Sequence, residues 1–144
     1  MPSKFTYPST ITPKAYESLT KYIRVSRTDT TAFKALILPK YAIPVGFYVL
    51  GKVASDAAST ATINLGTSAT ATEWINGYDV KTAATATGYN PVGSKIAGTV
   101  IATQLTVDTP LYAKYAETGT ASSTGGDWYI KIEYLIPGPG ETLA

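Results

Sequence analysis

The chain has 144 residues, with twelve Lys and Arg against ten Asp and Glu, and it contains neither cysteine nor histidine. That length suits one domain with a core large enough to need no staples, and the missing residue types exclude disulfides, thiolate chemistry, imidazole bases and the usual zinc and haem ligands. Only 15% of residues are charged and the basic ones are scattered, so no patch points to nucleic acid or anionic lipid, and the polar surface must be built largely from Thr and Ser.

Residues 1–20 read as an extended N-terminal arm. Pro2, Pro8 and Pro13 each restrict the residue before them and remove a backbone donor. Phe5, Tyr7, Ile11 and Tyr16 are the apolar anchors of this arm. They either pack on the parent domain or dock on a neighbouring subunit. One helical turn fits residues 13–19, with Thr12 as N-cap and Pro13 in the first helical position. The opening Met1-Pro2-Ser3-Lys4 leads into a polar stretch, so no signal peptide is expected, and no run approaches the length of a membrane span.

Residues 21–137 then read as one β-domain. Strands are expected over 22–27, 32–38, 47–54 and 60–65. Ile43-Pro44-Val45-Gly46 forms a turn before the third. In the fourth, Ala61, Ile63 and Leu65 share one face and Thr60, Thr62 and Asn64 the other. Residues 66–72 are turn-like. Residues 73–82 suggest one helical turn ended at Gly77, then a short strand, with Trp74 and Ile75 plugging one end of the core. Residues 88–93 read as a loop. A strand region over 95–107 carries a mixed pattern that suggests a bulge near Gly98. Residues 111–118 form the next strand, and 119–126 a hairpin tip.

The last strand is the one around which the chain is organised. Trp128, Ile130, Ile132, Tyr134 and Ile136 alternate with Tyr129, Lys131, Glu133 and Leu135. A period of two in β-branched and aromatic residues fits a strand and no helix. Its length places it centrally in a sheet, beside either 95–107 or 32–38. Residues 138–144 are a C-terminal tail. About eight short strands without βαβ spacing make an all-β fold, a jelly-roll or Greek-key β-sandwich with an extended N-terminal arm.

No constellation carries catalysis. Gly66-Thr67-Ser68 lacks the lysine and helix of a phosphate loop, Ser–His–Asp chemistry has no histidine, and no pattern singles out a Ser–Lys pair. Asp56, Asp79, Asp108 and Asp127 lack calcium-loop spacing and read as turn formers. A glycosidase pair among Glu73, Glu117 and Glu133 is formally open, but Glu133 sits between Lys131 and Leu135, where a cross-strand or interface ion pair is the simpler reading. No enzyme, cofactor or metal is therefore expected. Tyr129, Lys131, Glu133 and Leu135 form an expected interface, because tyrosine suits surfaces that are partly apolar and partly wet.

Three stretches together carry a resemblance: Ile43-Pro44-Val45-Gly46, the run Thr60-Ala61-Thr62-Ile63-Asn64-Leu65-Gly66-Thr67-Ser68-Ala69, and the closing strand over 126–135. They resemble the small capsid decoration, or cement, proteins of tailed bacteriophages. The resemblance covers residues 43–136 and excludes the arm. It implies a jelly-roll subunit, a homotrimer, seated on the outer surface of the virion head and bound to the major capsid protein. It also implies late binding, after head expansion; no nucleic-acid or membrane partner is expected, given the scattered basic residues and the lack of a spanning run. Pro44, Gly46, Gly66 and residues 128–134 would serve fold and assembly. One rival is a glycan- or receptor-binding module of a fibre or spike, with Trp74, Tyr78 and Tyr89 around a groove. Another is a neck or tail structural protein.

Overall fold

A computed structural model describes residues 16–51, 53–81, 88–91 and 102–137 of the chain. Eight strands are present among them: β1 (Tyr16–Val25), β2 (Phe33–Leu38), β3 (Ile43–Gly51), β4 (Thr60–Gly66), β5 (Ile75–Asp79), β6 (Gly88–Pro91), β7 (Thr109–Thr118) and β8 (Trp128–Pro137). They form two four-stranded antiparallel sheets, in the orders β1-β8-β3-β6 and β2-β7-β4-β5. The first strand pairs with the last, the second with the seventh, the third with the sixth and the fourth with the fifth. The chain is thus one long hairpin whose strand pairs are folded into two sheets, which is the double Greek key of a jelly roll.

The strand alternation sets the core. Trp128, Ile130, Ile132 and Tyr134 of β8 are buried, and so are Leu111, Ala113 and Tyr115 of β7 in the opposite sheet. Across the first sheet, Ile23, Ile130 and Val49 form one continuous row. Burying a side chain of this size contributes about 1.5–3 kcal/mol. Two aromatic pairs fill the core. Tyr115 and Trp128 stack with centroids 5.4 Å apart and planes 8° apart, which ties β7 to β8. Phe47 and Trp74 meet at 5.4 Å and 51°, so Trp74 does plug the core as expected.

Several expectations change. Residues 16–20, assigned from sequence to the arm and in part to a helical turn, are the first half of β1. Their partners are residues 133–137 of β8, and a ten-residue ladder outweighs the local preference of a Thr-Pro start. The rest of the arm, with Phe5, Tyr7 and Ile11, lies outside the described residues, as do residues 138–144. The last strand is central, but it lies between β1 and β3 rather than beside 95–107 or 32–38. Strand 33–38 belongs to the other sheet, because the 26–32 connection crosses between sheets.

The Pro44-Gly46 turn is instead a bulge inside β3, which removes the conflict between proline and a sheet ladder. Residues 75–77, expected to close a helical turn, are strand together with Tyr78 and Asp79, where strand was expected, and are held by Thr62, Ile63 and Leu65 of β4. Residues 88–91 are strand where a loop was expected. Of the region 95–107, residues 95–101 lie outside the described residues. Residues 102–105 are a connection whose Ala102 and Leu105 amides donate to Pro44 and Ala42, while Leu105 accepts from Tyr41.

Candidate functional site

The outward face of β8 is the surface that the alternation leaves over once the core is filled. The ladder sets Tyr129 between Arg24 and Leu50, Lys131 between Tyr22 and Tyr48, Glu133 between Thr20 and Gly46, and Leu135 between Ser18 and Ile43. The sequence-predicted residues Tyr129, Lys131, Glu133 and Leu135 are therefore brought together on one sheet face, and Tyr16 lies at its margin on β1. Tyr22 is 56% exposed, and Tyr16 and Tyr129 are also exposed. Lys131, Glu133 and Leu135 are half-buried.

Charge on this face is balanced locally. The Lys131 ammonium lies 2.9 Å from the Glu133 carboxylate and 5.4 Å from the centroid of the Tyr48 ring, within cation–π range. The ion pair runs along β8 rather than across strands. Gly46 makes room for the aromatic ring, since a Cβ there would lie 2.9 Å from Tyr48 Cε2. At the end of the face, Arg24 Nε donates to Asp127 Oδ1 at 2.9 Å, and that contact raises the guanidinium pKa further. Such a face offers aromatic area, a cation and an anion on a rigid scaffold, which suits recognition of another protein surface.

The ends of the sandwich carry no catalytic arrangement among the described residues. At one end the loops 26–32, 53–59 and 119–127 are bound together. Asp56 accepts from the Thr124 and Ser123 amides and the Ser123 hydroxyl, each at 2.8 Å. The Thr124 amide and the Ser123 side chain, foremost, hold the Asp56 carboxyl well below the usual carboxylate range. Tyr115 donates to Glu117 at 2.7 Å and lies 2.7 Å from the Ser55 hydroxyl, and burial pushes its phenol up. Hydrogen bonds from Ser122 and then Tyr115 lower Glu117.

At the other end Glu73 accepts from the Thr67 and Thr72 amides and from the Ser68 hydroxyl. Burial raises the Glu73 pKa, but the hydrogen bonds outweigh it and the carboxyl sits low. Glu73 and Glu117 thus tie loops at opposite ends, and Glu133 lies on the sheet face, so the three glutamates form no carboxylate pair. Asp79 and Asp108 bind the Lys81 and Lys40 amides, as turn-forming aspartates do. No group of three metal-ligating side chains occurs among the described residues.

The groove supposed for a glycan is not built from Trp74 and Tyr78, which are only 6% and 7% exposed and belong to the core. The side chain of Tyr89 lies outside the described ones. What sequence reasoning missed is an apolar end. Ile37 and Val107 are 52% and 62% exposed, and Tyr41 and Val45, which follow Ile37 in the chain, are exposed too. Ile37, Tyr41 and Val45 belong to β2, β3 and the connection between them, and Val107 to the segment before β7, which the 39–44 and 102–108 contacts hold to that connection. The one sequence signal was the pair of apolar faces at the end of β2.

No protein-family model matches the chain, and no curated protein matches it. Solved structures with the same fold include two from phage capsids. A chain of the cyanophage Pam1 capsid asymmetric unit superposes with a TM-score of 0.58 at 21% identity, over 94% of this chain and 94% of that one. A chain of the acidic stable capsid structure of Helicobacter pylori bacteriophage KHP30 gives a TM-score of 0.54 at 12% identity, over 86% of this chain and 95% of that one. At these identities the likeness establishes the fold.

Proposed function

We propose that this protein is a non-enzymatic structural component of a bacteriophage virion that decorates and cements the outer surface of the head. The observation that carries the reading is the jelly-roll fold shared, over nearly the whole chain, with chains of two phage capsid structures. The resemblance in residues 43–136 supports the same reading from the sequence side. The site is the β8 face, where Tyr129, Lys131, Glu133 and Leu135 meet the major capsid protein. Three copies assemble at each position, as the resemblance implies, and the N-terminal arm with Phe5, Tyr7 and Ile11 adds contacts to a neighbour, next to Tyr16 at the start of β1. Repetition by symmetry turns many modest contacts into strong attachment.

The test is the solution mass by light scattering, followed by pelleting with purified mature heads. A trimer that co-sediments at a fixed ratio supports cementing. A protein that ignores heads but binds tails or necks replaces this reading with the tail-structural one. Binding of oligosaccharide by the isolated chain would point to the fibre or spike reading, which the burial of Trp74 and Tyr78 disfavours.

A further inference from the structure

We infer that the free edge of β1 is a self-complementary docking strand, pairing antiparallel with β1 of a second copy of this chain about a two-fold axis at Leu19. Among the described residues the four sheet edges are β1, β6, β2 and β5. β6 and β5 have four and five residues, and β2 has six with a register shift at Lys34 and Leu36. Short or bulged strands are the usual protection against edge pairing. β1 has neither, because its ten residues run in unbroken register with β8. One side of that ladder is paired; on the other no strand of the described residues lies, so it offers its N–H and C=O groups to an added strand.

Over residues 16–22 of this edge only Leu19 packs against the core. Tyr16, Glu17, Ser18, Thr20, Lys21 and Tyr22 are all exposed. Glu17 and Lys21 are exposed although they share the strand face of the buried Ile23, so the opposite sheet does not cover them. Two copies of one strand can continue both faces of a sheet only in registers that are symmetric about a residue. Centring on Leu19 sets Glu17 opposite Lys21 of the second copy and Lys21 opposite its Glu17. It also sets Tyr16 against Tyr22, Ser18 against Thr20, and Leu19 against itself. Centring on Glu17 or Lys21 would oppose like charges, and centring on Ser18 or Thr20 would set Leu19 against a charge. Opposite charges and aromatic pairs directly across strands stabilise, and like charges destabilise. Of the registers centred on residues 17 to 21, the sequence of the edge therefore favours the one at Leu19. This contact stands on the edge alone and leaves the β8 face free.

The chain has no cysteine, which makes the test direct. Full-length Leu19→Cys, Ser18→Cys and Thr20→Cys proteins are oxidised and run on non-reducing gels. Cα separations alternate between about 5.5 and 4.5 Å along an antiparallel pair, both compatible with a disulfide. Leu19→Cys is expected to form a covalent dimer. Ser18→Cys and Thr20→Cys are each expected to stay uncrosslinked alone and to crosslink when mixed. In the Leu19→Cys background, Glu17→Lys or Lys21→Glu should lower dimer yield roughly tenfold, and the double exchange should restore it. No crosslinking from Leu19→Cys or from the mixture overturns the proposal. So does equal crosslinking of Ser18→Cys alone, or a dimer yield indifferent to the charge exchanges. Co-sedimentation of the same proteins with heads is read separately, so edge pairing and head binding can fail independently.

Discussion

The hydroxyl of Tyr115 sits in a chain of hydrogen bonds that joins three segments of the molecule. The Ala57 amide donates to Ser55, Ser55 meets Tyr115, and Tyr115 donates to Glu117, which also accepts from the Ser122 amide. Tyr115→Phe keeps the stack on Trp128 but leaves Ser55, itself buried, without that partner. We expect a loss of about 1–3 kcal/mol, read as a shift in the urea midpoint. The carboxylates at the two ends predict the acid limit. Asp56, Glu73 and Glu117 all have lowered folded pKa values. A depressed carboxylate stabilises the fold above its unfolded value, and that contribution is lost as pH falls through the lower, folded value. Stability should therefore be level near neutrality, where no histidine titrates, and should decline below about pH 4. Asp56→Asn should flatten the decline. A variant with an unchanged acid profile would exclude Asp56 as a contributor. None of these partnerships was legible in the sequence, where Asp56 and Ser123 are merely loop residues. Distance along the chain hides a contact that the nested pairing creates.

At the scale of the element, β8 was readable because its alternation is uninterrupted from Trp128 to Leu135 and both of its faces are in use. Ile130 is fully buried between Ile23 and Val49. Ile130→Ala should cost about 2–5 kcal/mol, measured by denaturant unfolding, and should reduce cooperativity little because the row remains intact around it. Lys131→Glu tests the other face. It places a second anion beside Glu133 and removes the cation from Tyr48, without touching the core. On the cementing proposal it should weaken head binding roughly 30-fold, about 2 kcal/mol, in a pelleting titration, with the unfolding midpoint nearly unchanged. Retained binding would move the interface to the exposed end around Ile37 and Val107. β6 was not readable and β5 only at its end, because short strands with little alternation take their conformation from a neighbour's ladder rather than from their own residues.

For the whole molecule, the position of β1 changes how the arm should be tested. Removing residues 1–20 would also cut half of the strand that covers β8. Deleting residues 1–15 leaves the described sandwich whole. That truncation should unfold at nearly the full-length temperature and pellet with heads less completely. If it binds heads as tightly as the full chain, the arm has no part in cementing. The sequence by itself determined the all-β class, the central last strand, the inward set from Trp128 to Tyr134 and the surface set from Tyr129 to Leu135, because a period of two is written into consecutive residues. It also determined the chemistry that is excluded, through the residue types it lacks. Only the tertiary structure decided which strands are neighbours, that Tyr78 is core, that Tyr16 opens β1, and that, among the described residues, β1 ends its sheet. Those outcomes depend on pairing between residues more than a hundred positions apart, as Arg24 and Asp127 are, and no local pattern encodes which distant strand completes a ladder.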